Sequence, residues 1–514
     1  MNVLAQLKPL RQAGGAIRTR GLSDAALAPF LGDAELVAAV GAAVEAFAQV
    51  RAEFPELIDI DEAEQLRQVQ AGFINFYPDD AVNPYVALAG RGPWIVTLKG
   101  AVIYDAGGYG MLGFGHAPAA VNAAVARPQA MANVMTPSLS QLRFVKALRK
   151  EIGHSRGGCP YARFLCLNSG SESVSLAGRI ADVNARVNTD AGGRHEGKKV
   201  RRIAIKGGFH GRTELPALYS DSTRKVYSEH LASWKHHDKQ LVTIEPYDVA
   251  QLRQAFADAE REGWYIEAVF LEPVMGEGDP GKALTPAFYA AARELTLAHG
   301  TLLLVDSIQA GLRAHGVLSI VDYPGFEGLD APDMETYSKA LNAAQYPMSV
   351  LAVTQRAADL YRKGTYGNTM TANPRALDVA CAVLGMLTPE VRANIRERGA
   401  EAQHKLKALA GELGGLITKV QGTGLLFSCE LADVFKCYGT GSTEEFLREH
   451  GFGVIHGGAN SLRFTPHFMV TSAELDLLVA GVRQALVEGP RKQAPATAAA
   501  ASTATPSRTE AAAA

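Results

Sequence analysis

"LCLNSGSESVSLAGRIAD", residues 165–182, turns from an apolar strand into a helix within a few positions. The strand ends at Asn168, a helix begins near Ser171, and Ser169 with Glu172 carries the S-x-x-E spacing of a capped N-terminus. At such a mouth the backbone N–H groups of Gly170 and Ser171, together with the helix dipole, favour an anion, so the turn reads as a phosphate cup. Taken alone, the same residues also describe an ordinary capped helix.

From about residue 160 the same alternation repeats, with apolar runs "ARFLCLN", "RRIAIKG", "IEAVFLEPV", "GTLLLVD" and "SVLAVT" separated by amphipathic stretches. Strands of this kind predict an α/β fold, a mostly parallel central sheet covered by helices on both faces, with ligands at the carboxyl ends of the strands. Four stretches follow: an N-terminal helical segment over 1–82, a large domain with its entry segment over 83–375, a smaller α+β C-terminal domain over 376–488, and a tail over 489–514. The tail is Ala, Thr, Ser and Pro, too poor in large apolar groups to order itself, and is expected to be disordered. No internal repeat is visible.

The 514 residues are 47% hydrophobic, enough for a large core. Lys plus Arg (51) nearly balances Asp plus Glu (53) without long runs of one sign, so neither nucleic acid nor an anionic membrane is an expected partner. A small molecule is. Five cysteines without a C-x-x-C pair fit neither a disulfide framework nor a zinc knuckle, and no other ligand spacing stands out, so no metal is expected. No apolar run reaches the roughly 18 residues of a membrane span. Lys8, Arg11, Arg18 and Arg20 precede any acid, which reads as a basic surface arm rather than a transit peptide, and the expected location is cytoplasmic.

"GGYGMLGFGHAP", residues 107–118, contains a literal G-x-G-x-x-G in Gly108, Gly110 and Gly113. A dinucleotide fingerprint also needs a helix straight after the third glycine and an acid about 20 residues on. Between Asp105 and Glu151 there is no Asp or Glu, and Pro118 is better placed to open a helix several residues late. NAD binding is therefore not the preferred reading.

A different set of residues suits pyridoxal 5'-phosphate (PLP). Gly170 and Ser171 offer the phosphate cup. Phe209 in "IAIKGGFHGRT" places a ring just past a strand, where it can cover a flat ligand or equally belong to the core. Asp306 ends the apolar strand of "GTLLLVDSIQAG", and a carboxylate there is costly unless a cation faces it, as a protonated ring nitrogen would. Lys339 of "METYSKALN" supplies the amine for a Schiff base and then an acid/base; alone, a lysine is usually a solvated charge.

With "NSGSES", "FHGRT", "EPVMGEG", "VDSIQAG", "YSKAL", "GNTMTANP" and "LRFTPHF" in this order, the chain resembles the class III aminotransferases of PLP fold type I from about residue 83 to 485. That group contains ornithine, 4-aminobutyrate and lysine 6-aminotransferases. The resemblance implies that Lys339, Asp306, Phe209, Gly170 and Ser171 hold the roles just given and that Gln309 bonds the cofactor's phenolic oxygen. It implies that Thr369 reaches the phosphate of the neighbouring subunit, which makes the enzyme a homodimer with shared sites. Arg463 matches the arginine that holds the substrate α-carboxylate. Glu272 matches the acid that pairs with that arginine and masks it when an ω-amino substrate binds in the opposite sense, with an ordinary ion pair as the other reading. Tyr109 falls at a substrate-pocket position. Ser307 stands where the family commonly has Glu, Met275 replaces the usual Gln, and "ALNAAQYP" replaces a glycine-rich run.

The expected activity is ping-pong transamination from an ω-amino acid, diamine or amino acid to an oxo acid such as 2-oxoglutarate. The same fold also supports aminomutases, decarboxylases and phospho-lyases. A non-catalytic binding protein and an NAD oxidoreductase are the remaining readings.

Overall fold

The computed structural model describes residues 2–107 and 109–492. The segment 493–514, most of the stretch expected to be disordered, and Gly108 of the glycine motif lie outside the described residues.

Three short strands, β1 (Ala87–Arg91), β2 (Trp94–Thr97) and β3 (Val102–Asp105), form an antiparallel meander. The helix Ala34–Glu53 packs against it, and Trp94 is clamped by Phe30, ring centroids 5.2 Å apart, and by Asp33, which accepts its indole N–H at 3.2 Å. The basic arm is tied down: Arg18 pairs with Glu449 at 2.6 Å, and the helix Val3–Arg11 buries Val3, Leu7 and Leu10.

The centre is a seven-stranded sheet of β4 (Arg163–Leu167), β5 (Lys199–Ile205), β6 (Leu241–Ile244), β7 (Trp264–Leu271), β8 (Leu302–Asp306), β9 (Met334–Tyr337) and β10 (Ser349–Val353), in the order β4-β10-β9-β8-β7-β5-β6. Only β10 runs against its neighbours. The continuous apolar runs follow from burial on both faces. On β8, Leu302 and Leu304 join Ile180 and Leu176 of the helix Gly170–Thr189 on one side, while Leu303 and Val305 enter the larger cluster on the other.

Because β4, β5, β7, β8 and β9 point the same way, their carboxyl ends share one edge. Ser169–Ser171, Phe209–His210, Glu272, Asp306 and Lys339 all come just at or after those ends.

A second antiparallel sheet, β11 (Ile417–Thr423), β12 (Leu426–Leu431), β14 (Ile455–Gly457) and β15 (Ser461–Phe464), follows the helices Pro374–Gly385 and Pro389–Glu412. The strand between, β13 (Phe452–Gly453), leaves it and pairs with β3, Phe452 opposite Tyr104, so the N-terminal meander is completed by the C-terminal stretch. The helix after the glycine motif starts at Ala119, with Pro118 as its N-cap. No helix among the described residues is long and apolar enough to cross a membrane.

Candidate active site

Gly170, Ser171, Phe209, Glu272, Asp306, Gln309 and Lys339 line one cavity of about 180 Å³ at the carboxyl edge of the central sheet. At one end the helix Gly170–Thr189 opens onto it. Ser169 caps this helix, its Oγ accepting from the Glu172 N–H at 3.3 Å, while the Glu172 carboxylate accepts the N–H of Asn168 at 2.7 Å. Gly170 and Ser171, within the first turn, have N–H groups with no intrahelical acceptor.

Lys339 donates from Nζ to Gln309 Oε1 at 2.9 Å. Burial lowers its pKa to about 8, helped by the Arg463 cation and opposed by Glu277, Asp306 and Glu272. Gln309 Nε2 is buried without a protein partner. Asp306 Oδ1 accepts the Ile308 N–H at 3.1 Å, and Oδ2 meets Nδ1 of His210 at 2.9 Å. His210 was not among the sequence-derived site residues, although it follows Phe209 directly; it is 2% exposed and its Nε2 has no protein partner. Phe209 lies over the cavity, with the Arg212 guanidinium 5.4 Å from its ring.

Arg463, on β15 of the C-terminal sheet, is 1% exposed. Its carboxylate partner is not Glu272. Glu277 Oε1 stands 3.3 Å from Arg463 Nη1, and the same nitrogen donates to the Gly276 carbonyl. Glu272 sits where β7 ends and accepts backbone N–H groups from Phe209 at 3.0 Å and Gly276 at 2.9 Å. The pairing expected for Glu272 therefore belongs to the second acid of "EPVMGEG", because the chain must turn after β7 before a side chain can reach β15. Burial works to raise the Glu277 pKa, but Arg463 and Lys339 outweigh it and hold the carboxyl below its usual range. Burial pushes Glu272 up to about 7, with Asp306 adding to the shift and His210 opposing it. Arg463 keeps Nε and Nη2 without hydrogen-bond partners among the described residues.

Tyr109, in the left-handed region at φ 51, places its ring 5.6 Å from the Arg463 guanidinium and stacks on Tyr77 at 6.0 Å. It also lines an adjoining recess with Tyr85, Asp105 and Arg448. Thr369 does not line this cavity: it is exposed, beside Val134, whose N–H its carbonyl accepts at 2.9 Å, while its neighbour Asn368 bonds Glu172 at 3.3 Å.

The departures from the family pattern have local explanations. Ser307 donates to Glu335 Oε1 at 2.6 Å, a carboxylate on β9 that Tyr161 and the Ile320 N–H also bond. In "ALNAAQYP", Ala343 and Ala344 adopt φ 51 and 55, a conformation that costs a non-glycine residue about 1–2 kcal/mol. Asn342 braces it, accepting from Ala344 N–H and donating to the Met348 carbonyl, both at 2.9 Å. Met275 is buried.

The donor set fits PLP. A partially neutral buried lysine and an unpartnered Gln309 amide share the cavity with a buried carboxylate at a strand end and a helix mouth suited to phosphate. Among the described residues no group of three or more His, Cys, Asp or Glu could hold a metal ion.

A family model described as aminotransferase class-III matches residues 76–486. Acetylornithine aminotransferase of Vibrio parahaemolyticus is 30% identical over 428 residues, covering 80% of this chain and 95% of that protein. The enzyme of the same name from Neisseria meningitidis serogroup B is 28% identical over 418 residues, covering 80% and 96%. Among solved structures, the ornithine aminotransferase of Toxoplasma gondii superposes with a TM-score of 0.71 at 23% identity, covering 85% of this chain and 97% of that one.

Proposed function

The chain belongs to the class-III aminotransferase family and is a PLP-dependent transaminase, and from that premise we propose how its residues divide the work and what it takes as donor. Gly170 and Ser171 hold the phosphate, Phe209 covers the ring, Gln309 donates from its free amide to the phenolic oxygen, and Asp306 faces the ring nitrogen with its orientation set by His210. When bound, the cofactor supplies an aldehyde for the amino group and a ring that withdraws electrons from the carbon bearing it.

Lys339 Nζ removes the proton from that carbon and returns it on the other side of the exchange. A pKa near 8 suits an amine that must accept and release a proton near neutral pH. Arg463 binds the carboxylate of the donor or acceptor through Nε and Nη2, the two nitrogens that no protein group uses. When the donor presents a distal amino group, Glu277 keeps Arg463 neutralised. The donor is an amino acid with a distal amino group, in keeping with relatives named for acetylornithine and ornithine. The observation carrying this reading is Lys339, Gln309 and Asp306 in one cavity beside Arg463, which has a carboxylate partner and two unused nitrogens.

The enzyme works as a homodimer in which Thr369 reaches the partner's phosphate. Thr369 is exposed, and Met131, Val134, Met135 and Met370 around it are exposed as well, an apolar surface that a second copy would cover.

Quenched-flow assays with a donor and no acceptor test the reaction class. One equivalent of oxo product per site, followed by arrest until an oxo acid is added, is the expected result. Continued product formation without an acceptor would mean another reaction on this fold.

A further inference from the structure

Among the described residues Glu272 has no side-chain cation partner, yet it is 6% exposed at the end of β7, directly beside Asp306 at the end of β8. What it does hold is two backbone amides from two loops. Phe209 N–H comes from the loop after β5 and Gly276 N–H from the loop after β7. These loops press so closely that a Cβ on Gly278 would collide with the Gly207 carbonyl oxygen.

Gly276 is itself a junction. Its carbonyl accepts Arg463 Nη1, and a Cβ there would stand 2.5 Å from Gln309 Oε1, the atom that receives Lys339. The rest of the loop is anchored away from the cavity: Val274 pairs with Ala283, Ser428 Oγ donates to the Pro280 carbonyl at 2.7 Å, and Lys419 pairs with Asp279 at 2.6 Å. Gly276 is therefore held through its N–H by Glu272 and through its carbonyl by Arg463.

We propose that Glu272 is a positioning residue that joins the two halves of the site, setting the ring over the cofactor and the carbonyl that aims Arg463 through one carboxylate. The inference rests on Arg463 being the carboxylate-binding group. Both carboxylate oxygens are needed, because each buried N–H left without an acceptor costs about 1–3 kcal/mol. A glutamine keeps the shape and one acceptor but turns a donor toward the other amide.

The probe is glutarate, a carboxylate that cannot react, titrated calorimetrically into the PLP-loaded enzyme. Glu272→Gln should weaken glutarate about tenfold, the scale of one lost hydrogen bond, raise KM for the oxo acid to match, and shift the visible absorbance of the bound cofactor. A fall in melting temperature with unchanged glutarate affinity and KM would mean a structural role only and would overturn the proposal. If that variant does not fold, hydrogen exchange on the unmodified enzyme decides: saturating glutarate should protect residues 272–276 and 207–210 together. Protection confined to 272–276 overturns the coupling. If Arg463→Gln binds glutarate as the unmodified enzyme does, the premise about Arg463 fails instead, which is a separate outcome.

Discussion

Only the neutral amine of Lys339 attacks an aldehyde, so the rate at which PLP enters the cofactor-free enzyme reports its protonation. With a pKa of about 8 instead of the ordinary 10.5, roughly 9% of the side chain is neutral at pH 7 against about 0.03%, close to a 300-fold advantage. In stopped-flow absorbance the uptake rate should climb tenfold per pH unit below about 8 and level off above it, since deprotonation is complete there. The causes of the shift can be separated. Burial is the largest and survives substitution of neighbours; Arg463→Gln removes a cation that lowers the pKa and should move the midpoint up, whereas Glu277→Gln removes an anion that raises it and should move the midpoint down. A midpoint above about 9.5 in the unmodified enzyme, or the same direction of shift in both variants, would refute the account.

Gly211 has φ +116, and a Cβ there would collide with Ser171 Oγ, so Gly211→Ala should weaken PLP at least about tenfold in reconstitution titrations by displacing the phosphate cup. Arg313 is fully buried with no carboxylate partner among the described residues and donates to the carbonyls of Pro466 at 2.5 Å, Leu425 at 3.2 Å and Gly110 at 3.3 Å. Arg313→Met, which orphans these acceptors across three segments, should cost about 2–4 kcal/mol in denaturant unfolding, and an unchanged midpoint would remove it as a strut. Thr369→Ala should loosen PLP several-fold while sedimentation still shows a dimer; a monomer would assign Thr369 to the interface alone. Glu277→Gln should tighten glutarate about fivefold, because a competing carboxylate 3.3 Å from Arg463 is gone, and weaker binding would mean that Glu277 orients Arg463 rather than occupying it.

Much of the site was legible because fold and chemistry are written in neighbouring residues. A strand running into "NSGSES", an acid closing "LLLVD" and a lysine after "METYS" each sit at a strand end, and parallel strands bring their carboxyl ends to one edge. His210 escaped notice because its role depends on facing Asp306 from the loop after β5, 96 residues away. The only local signal was its place beside Phe209 in "FHGRT". Glu272 and Glu277 are five residues apart in a motif holding both acids, and nothing in that spacing says which one clears the turn to reach β15. Likewise, the Glu335 carboxylate that Ser307 bonds lies 28 positions on and becomes relevant only because β8 and β9 are adjacent.

The sequence by itself determined the mostly parallel sheet, the edge at which the candidate site residues gather, and the lysine, aspartate and helix mouth that suit PLP, because strand period, capping and the burial cost of charge act over a few residues. The tertiary structure alone decided which acid meets Arg463, which imidazole holds Asp306, and that β13 joins β3 in the N-terminal sheet rather than the C-terminal sheet around it in sequence. Those are matters of distance between segments far apart in the chain, settled by packing and by the need of each buried donor for an acceptor.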